Sequence, residues 1–149
     1  MSSTGYHPLM NEMSNTQRDR FLQEVRVAVL AIERTDKAPL CAPVWYRYVN
    51  DSFQVSMEGD SAKSLLLQRA GRASICIQDE SPPYKYVTAE GHVTVEALGG
   101  QTRYELVLEL ASRYLGDEDG VRYAESYPPD SDGGVLVTLY PRRWQTTMY

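Results

Sequence analysis

Hydrophobic residues along the chain switch between two spacings, one that fits strands and one that fits helices, and the switches divide the sequence into elements. Val25–Ile32 is apolar and β-branched at nearly every position, the pattern of a strand covered on both faces. After the polar turn Thr35–Ala38, Pro39–Val49 reads as a second strand, with Val44, Tyr46 and Tyr48 alternating against Trp45 and Arg47. Asn50-Asp51 signals a turn, and Phe53–Met57 alternates as a third strand, so the three predict an antiparallel meander. Arg72–Gln78 and Tyr84–Glu96 are the fourth and fifth strands, parted by Pro82-Pro83, with Gly91 marking a bend or bulge. Val135–Tyr140 is the sixth, followed by Pro141-Arg142-Arg143-Trp144.

Helical spacing appears in three places. Ser14 with Gln17 is a capping-box pattern that predicts a helix from Asn15 to about Glu24, with Phe21 and Leu22 inward. Ser61 is an N-cap for Ala62–Ala70, where Leu65 and Leu66 are expected to bury one side and Gly71 to close the helix. Thr102 with Glu105 repeats the capping-box spacing after Gly99-Gly100. Leu106, Val107, Leu110, Ala111 and Tyr114 then form a helical stripe up to Gly116. The acidic, Pro/Gly-rich stretch 117–134 reads as a surface loop with at most one helical turn around Val121–Ser126. Met1–Met13 is polar and aperiodic, a loose tail ahead of one domain over 14–149. No strand–helix–strand repeat supports a parallel sheet, and six short strands with tight turns predict a mainly β fold closed into a barrel, with flanking helices.

Composition narrows the functions. At 149 residues with 42% hydrophobic content the chain can bury a core without staples. A net charge of −5 argues against tracking nucleic-acid phosphates, which needs a basic stripe. Cys41 and Cys76 lie in apolar strand-like segments outside any CxxC pair and read as reduced, packed thiols. Met1–Met13 lacks the basic and apolar regions of a signal peptide, and no apolar run approaches the roughly 20 residues that span a bilayer. A cytoplasmic protein without membrane contact is expected.

Catalytic constellations are scarce. His7 lies in the tail, and His92 has no Cys, Asp or second His at ligand spacing, so no metal site is expected. There is no nucleophile elbow, no GxGxxG and no P-loop. Asp117-Glu118-Asp119 reads as a solvated charge cluster. One local feature has a specific physical reading. Ser61-Ala62-Lys63 combines the free N–H groups of a helix start, a hydroxyl and a cation, a plausible phosphate cradle. Serine caps many helices, so the bland reading competes; a lysine in a first turn is nevertheless better tolerated beside an anion. Trp45, Tyr46, Tyr48, Tyr84, Tyr86 and Trp144 lie on or beside strands and could line a ring-shaped ligand or fill the barrel.

Taken together, FLQEVRVAVLAI, APLCAPVWYRY, SAKSLLLQRAGRASICIQDESPPYKYVTAEGHV and YPRRW resemble, in order and spacing, the flavin-binding split barrel of pyridoxamine 5′-phosphate oxidase-like proteins. The resemblance is greatest to the actinobacterial branch of deazaflavin (F420)-dependent reductases. It implies a six-stranded antiparallel split barrel, a homodimer with cofactor sites at the interface, and F420 or FMN, F420 slightly preferred, acting on a small molecule. It places the cofactor phosphate near Ser61, Ala62 and Lys63, and the ring against Pro43, Val44, Trp45, Ser56 and Met57. Tyr84 and Tyr86 match positions that reach the cofactor from the partner subunit, and Trp144 a position that closes the pocket. Relatives often follow the lysine with an Arg-Asn pair, where this chain has Leu65 and Leu66. That departure keeps a second expectation open, a non-catalytic barrel that binds or stores a cofactor, haem or lipid.

Overall fold

A computed structural model describes residues 11–149, so His7 and the first ten residues of the expected tail lie outside the described residues. The elements are α1 (Asn15–Gln23), β1 (Ala28–Arg34), β2 (Lys37–Val44), β3 (Arg47–Val49), β4 (Ser52–Glu58), α2 (Ala62–Ala70), β5 (Arg72–Asp79), β6 (Lys85–Leu98), α3 (Gly100–Leu115), α4 (Asp117–Ala124) and β7 (Gly134–Met148). All strand pairs are antiparallel, in the order β2-β1-β5-β6-β7-β4-β3. Asn11 bridges Met148, and the Met13 N–H donates to Thr146 Oγ1 (2.9 Å).

The fold is the expected mainly β barrel, with seven strands rather than six. The expected strand Pro39–Val49 is two, broken at Trp45-Tyr46, because these residues carry the chain from one edge of the sheet to the other. The expected meander is accordingly two hairpins, β1-β2 and β3-β4, on opposite edges. At the break the Tyr46 N–H leaves the ladder and donates to Tyr114 Oη (3.1 Å), which donates to the Arg26 carbonyl (2.7 Å). The Tyr46 side chain turns into the core, and its hydroxyl donates to the Leu22 carbonyl (3.0 Å). The main core fills the barrel with Leu30, Ile32, Phe53, Ile75, Ile77, Val87, Val137 and Leu139.

Other expectations need correction. In β1 only Ala28, Leu30 and Ile32 face the core; Val29 is 42% exposed, and Val27 just ahead of the strand is 49% exposed. A uniformly apolar run predicts double burial, but here the outer face is open in the single chain. On α2 Leu67 and Ser64 are buried, Leu66 is half-buried and Leu65 is 55% exposed, because the helix docks one residue around from the expected stripe. The Thr102–Glu105 capping box is not formed. α3 starts three residues earlier, at Gly100 with Gly99 as its N-cap, and Thr102 lies inside it. The acidic stretch opens as α4, with Asp117, Glu118 and Asp119 in its first turn, where negative charge suits the helix dipole. The last strand runs on through Pro141-Arg142-Arg143-Trp144 to Met148. Pro141 is tolerated because it sits opposite Gly91, where the register shifts between Glu90 and Gly91. The α1 capping box does form: Ser14 Oγ accepts from the Gln17 N–H (3.1 Å), and Gln17 Oε1 from the Ser14 N–H (2.8 Å).

A Cβ at Gly91 would sit 1.8 Å from the Tyr140 carbonyl oxygen, a backbone atom that cannot swing away. Gly91→Ala is expected to cost about 3 kcal/mol in urea unfolding, within the range for forced overpacking; wild-type stability would show that the bulge is not the close contact described. Burial pushes the Tyr46 phenol up from 10.0 to about 12. An acid whose folded value is raised holds its proton more tightly when folded, so its contribution is complete below pH 10 and lost as pH rises towards 12. Roughly 2 kcal/mol of stability should disappear over that window, and a stability–pH profile of Tyr46→Phe should be flatter there than the parent's.

Candidate functional site

The break at Trp45-Tyr46 leaves a cavity of about 380 Å³ between the barrel edge and the helical layer. Pro43, Val44 and Trp45 come from the end of β2, and Val55–Glu58 from β4. Lys63 enters from the first turn of α2. Arg103, Val107 and Leu110 come from α3, Tyr123 from α4, and Tyr127 from the loop beyond it. Most of the wall is apolar or aromatic, with three charged side chains, the composition of a site that holds a flat ring and anchors a polar end.

Six expected site residues thus converge: Pro43, Val44, Trp45, Ser56, Met57 and Lys63. Trp45 stacks on Tyr114 (centroids 5.1 Å, interplanar angle 7°) and meets Tyr123 at 5.1 Å, so one indole face is already covered. Lys63 makes no ion pair among the described residues. Its amine, carried on the first turn of α2, is the part of the wall able to meet an anion. Ser61 and Ala62 are not on the cavity wall. The Ser61 hydroxyl accepts from the Ser64 N–H (3.2 Å) and donates to the Glu58 carbonyl (2.7 Å). Its one proton is spent inside the cap, so the serine holds the helix start rather than offering a hydroxyl to a ligand.

The remaining three lie elsewhere in the single chain. Tyr84 is half-exposed beside Tyr149 (6.3 Å, edge-on), and the Tyr86 hydroxyl accepts from Gln145 Nε2 (3.2 Å). Trp144 packs on Tyr48 and Phe53 with the Arg18 guanidinium over its ring (3.9 Å), part of the barrel's packing and not of the cavity.

The structure adds residues that sequence reasoning missed. Arg103 is only 2% exposed and donates to Glu58 Oε1 (2.5 Å) and to the Asp132 carbonyl (3.0 Å). Its guanidinium lies over Tyr127 (4.7 Å). Burial, and then hydrogen bonding with Tyr127, push the Tyr123 phenol up. Among the described residues no group of side chains suits a metal ion, and His92 stacks on Tyr140 (4.7 Å). No helix among them is long and apolar enough to cross a membrane. A second, larger concavity of about 730 Å³ contains none of the expected residues. Its charges largely answer each other, as in Arg72–Glu33 (2.6 Å) and Arg143–Glu90 (3.8 Å).

No protein-family model and no curated protein sequence matches the chain. Solved structures do. A conserved hypothetical protein from Mycobacterium tuberculosis superposes with a TM-score of 0.69 at 21% identity, covering 90% of this chain and 84% of that one. An F420 reductase gives 0.66 at 16% identity over 85% and 94% of the two chains. HutZ, the haem storage protein from Vibrio cholerae, gives 0.67 at 13% identity over 89% and 94%. At these identities the likeness is one of fold, and the chain has the split-barrel fold of the pyridoxamine 5′-phosphate oxidase-like proteins.

Proposed function

We propose that the cavity binds a phosphorylated flavin or deazaflavin, FMN or F420, and that the protein is an oxidoreductase acting on a small organic molecule. The observation that carries this reading is the convergence of Pro43–Trp45, Ser56, Met57 and Lys63, which has no ion-pair partner among the described residues, on one largely apolar cavity. The fold likeness to an F420 reductase supports it. The residues fit such a group: flat apolar walls for a ring, and at a helix start a cation that is free among the described residues for a phosphate.

A bound flavin or deazaflavin supplies hydride-transfer chemistry that side chains lack. The chain's own part is orientation and exclusion of water. Pro43 and Val44 present a rigid strand end to the ring, Trp45 closes its side, and Ser56 offers a hydroxyl between Val55 and Met57. Lys63 neutralises the phosphate. We assign no acid or base, because the hydride-transfer chemistry is the cofactor's own.

The reading includes a homodimer. Val29 lies opposite Pro43 and Cys76, and Ala31 opposite Cys41, on the outer face of β2-β1-β5, so this open apolar face adjoins the cavity through Pro43. A second copy covering it would dry the cavity edge and could bring Tyr84 and Tyr86 to the partner's ligand. A non-catalytic carrier is the second reading. Two observations favour it: exposed Leu65 where relatives often carry a polar residue, and the fold likeness to a haem storage protein.

Fluorescence titration with FMN and with F420 separates these readings. Binding of one, together with turnover of a reporter acceptor by the reduced cofactor, supports the enzyme. Binding without turnover supports the carrier, and binding of neither overturns both cofactor assignments. Lys63→Ala should weaken cofactor binding by roughly 1.5–3 kcal/mol, the range for hydrogen bonds to charged groups, with little change in unfolding midpoint. Unchanged affinity would remove Lys63 from the phosphate site.

A further inference from the structure

We infer that Arg103 is a positioning residue, a buried clamp that holds Tyr123 and Tyr127 as a fixed wall, so that the cavity is preformed rather than opened by its ligand. The inference concerns the cavity assigned above but does not require that its ligand be a flavin.

Arg103 reaches three separate pieces of the structure. It leaves α3, pairs with Glu58 at the end of β4, and donates to the Asp132 carbonyl in the loop that leads into β7. Its guanidinium covers Tyr127, which meets Tyr123 at 5.8 Å, and Tyr123 in turn meets Trp45 at 5.1 Å. The path from the arginine to the cavity wall is therefore continuous contact. Space for the guanidinium exists because position 134 is glycine; a Cβ there would lie 2.5 Å from Arg103 Nε. That Nε is itself buried without a hydrogen-bond partner among the described residues. A buried cation with an orphaned N–H costs stability locally, and such groups persist where the surrounding structure fixes them. Glu58 stands half-exposed at the other end of the pair, so the clamp is anchored inside and reaches out to the cavity rim.

Geometry also separates Arg103 from ligand recognition. Its charge is answered by Glu58, whereas that of Lys63 has no ion-pair partner among the described residues. Lys63 is the anion-facing cation, and Arg103 acts through the tyrosines.

The test reads Trp45 directly. In a Trp144→Phe background Trp45 is the single tryptophan, and acrylamide quenching reports how well the wall covers it. Arg103→Met should raise the quenching slope by about threefold below the unfolding transition, the behaviour of a locally opened region, with Arg103→Lys restoring part of the protection. Affinity for whichever cofactor the parent binds should fall in parallel. Unchanged quenching in a folded Arg103→Met protein overturns the clamp. If that variant does not fold, Glu58→Ala removes the exposed half of the pair: raised quenching supports the inference and parental quenching overturns it. Because the signal needs no ligand, failure of FMN and F420 to bind leaves this test intact. Cofactor binding with unchanged quenching removes the clamp alone.

Discussion

The structure depends on how the backbone is satisfied where the sheet is split. β2 and β3 are the two edges of one antiparallel ladder, yet only Trp45 and Tyr46 separate them in sequence. A chain turning from one edge to the other cannot keep its N–H and C=O groups in the ladder, and buried ones must be paired elsewhere. The Tyr114 hydroxyl meets this need, accepting from the Tyr46 N–H and donating to the Arg26 carbonyl. One side chain of α3 thus ties both sides of the split. Its neighbour Arg113 extends the tie by donating to the Leu22, Gln23 and Glu24 carbonyls at the end of α1. The Leu22 carbonyl also accepts from the Tyr46 hydroxyl, whereas for those of Gln23 and Glu24 Arg113 supplies the donor that a helix terminus lacks.

The cavity is a consequence of that arrangement. With Tyr46 turned inward to Leu22, Trp45 must turn outward, and its stacking on Tyr114 sets its plane. The same helix carries Arg103, Val107 and Leu110, so one rigid element supports the split and forms a wall of the cavity. Sites on such elements hold their geometry better than sites on loops. Here even the loop residue Tyr127 is held from α3, through the Arg103 guanidinium.

Much of this was legible in the sequence, for local reasons. The Ser14 and Ser61 caps, the α3 stripe and the Gly91 bulge each rest on neighbours in sequence, and each is found. Six of the eleven expected site residues meet because they occupy strand ends and a helix start beside the split. What could not be read depended on distant partners. The tolerance of Pro141 within β7 needs its bulge partner Gly91, some fifty residues earlier. α4 looked like a loop because its acidic residues and Gly120 suggest solvent. Those residues instead favour the first turn of a helix, and Gly120 lets that helix press on Ser112 of α3. Arg103 gave no signal either, since an arginine in an amphipathic helix is usually solvated. Its burial follows from Glu58, Asp132, Tyr127 and the missing Cβ at Gly134, which are scattered along the chain.

Charge completes the picture of what the cavity can hold. Three charged groups line it, but the Arg103–Glu58 pair is nearly neutral towards a ligand and leaves Lys63 as the net charge. In a partly dry cavity one free cation can answer about one anionic group, because each further negative charge is desolvated without a partner. A ligand with a single phosphate next to a flat ring matches that count. A ligand with a longer acidic tail can satisfy it only by carrying the extra charges beyond the cavity mouth into water. On the proposed reading, such a cavity would discriminate among ligands by what lies beside the ring, and the rest of any larger molecule would be left to the surface around Pro43, which belongs to the open face of the sheet.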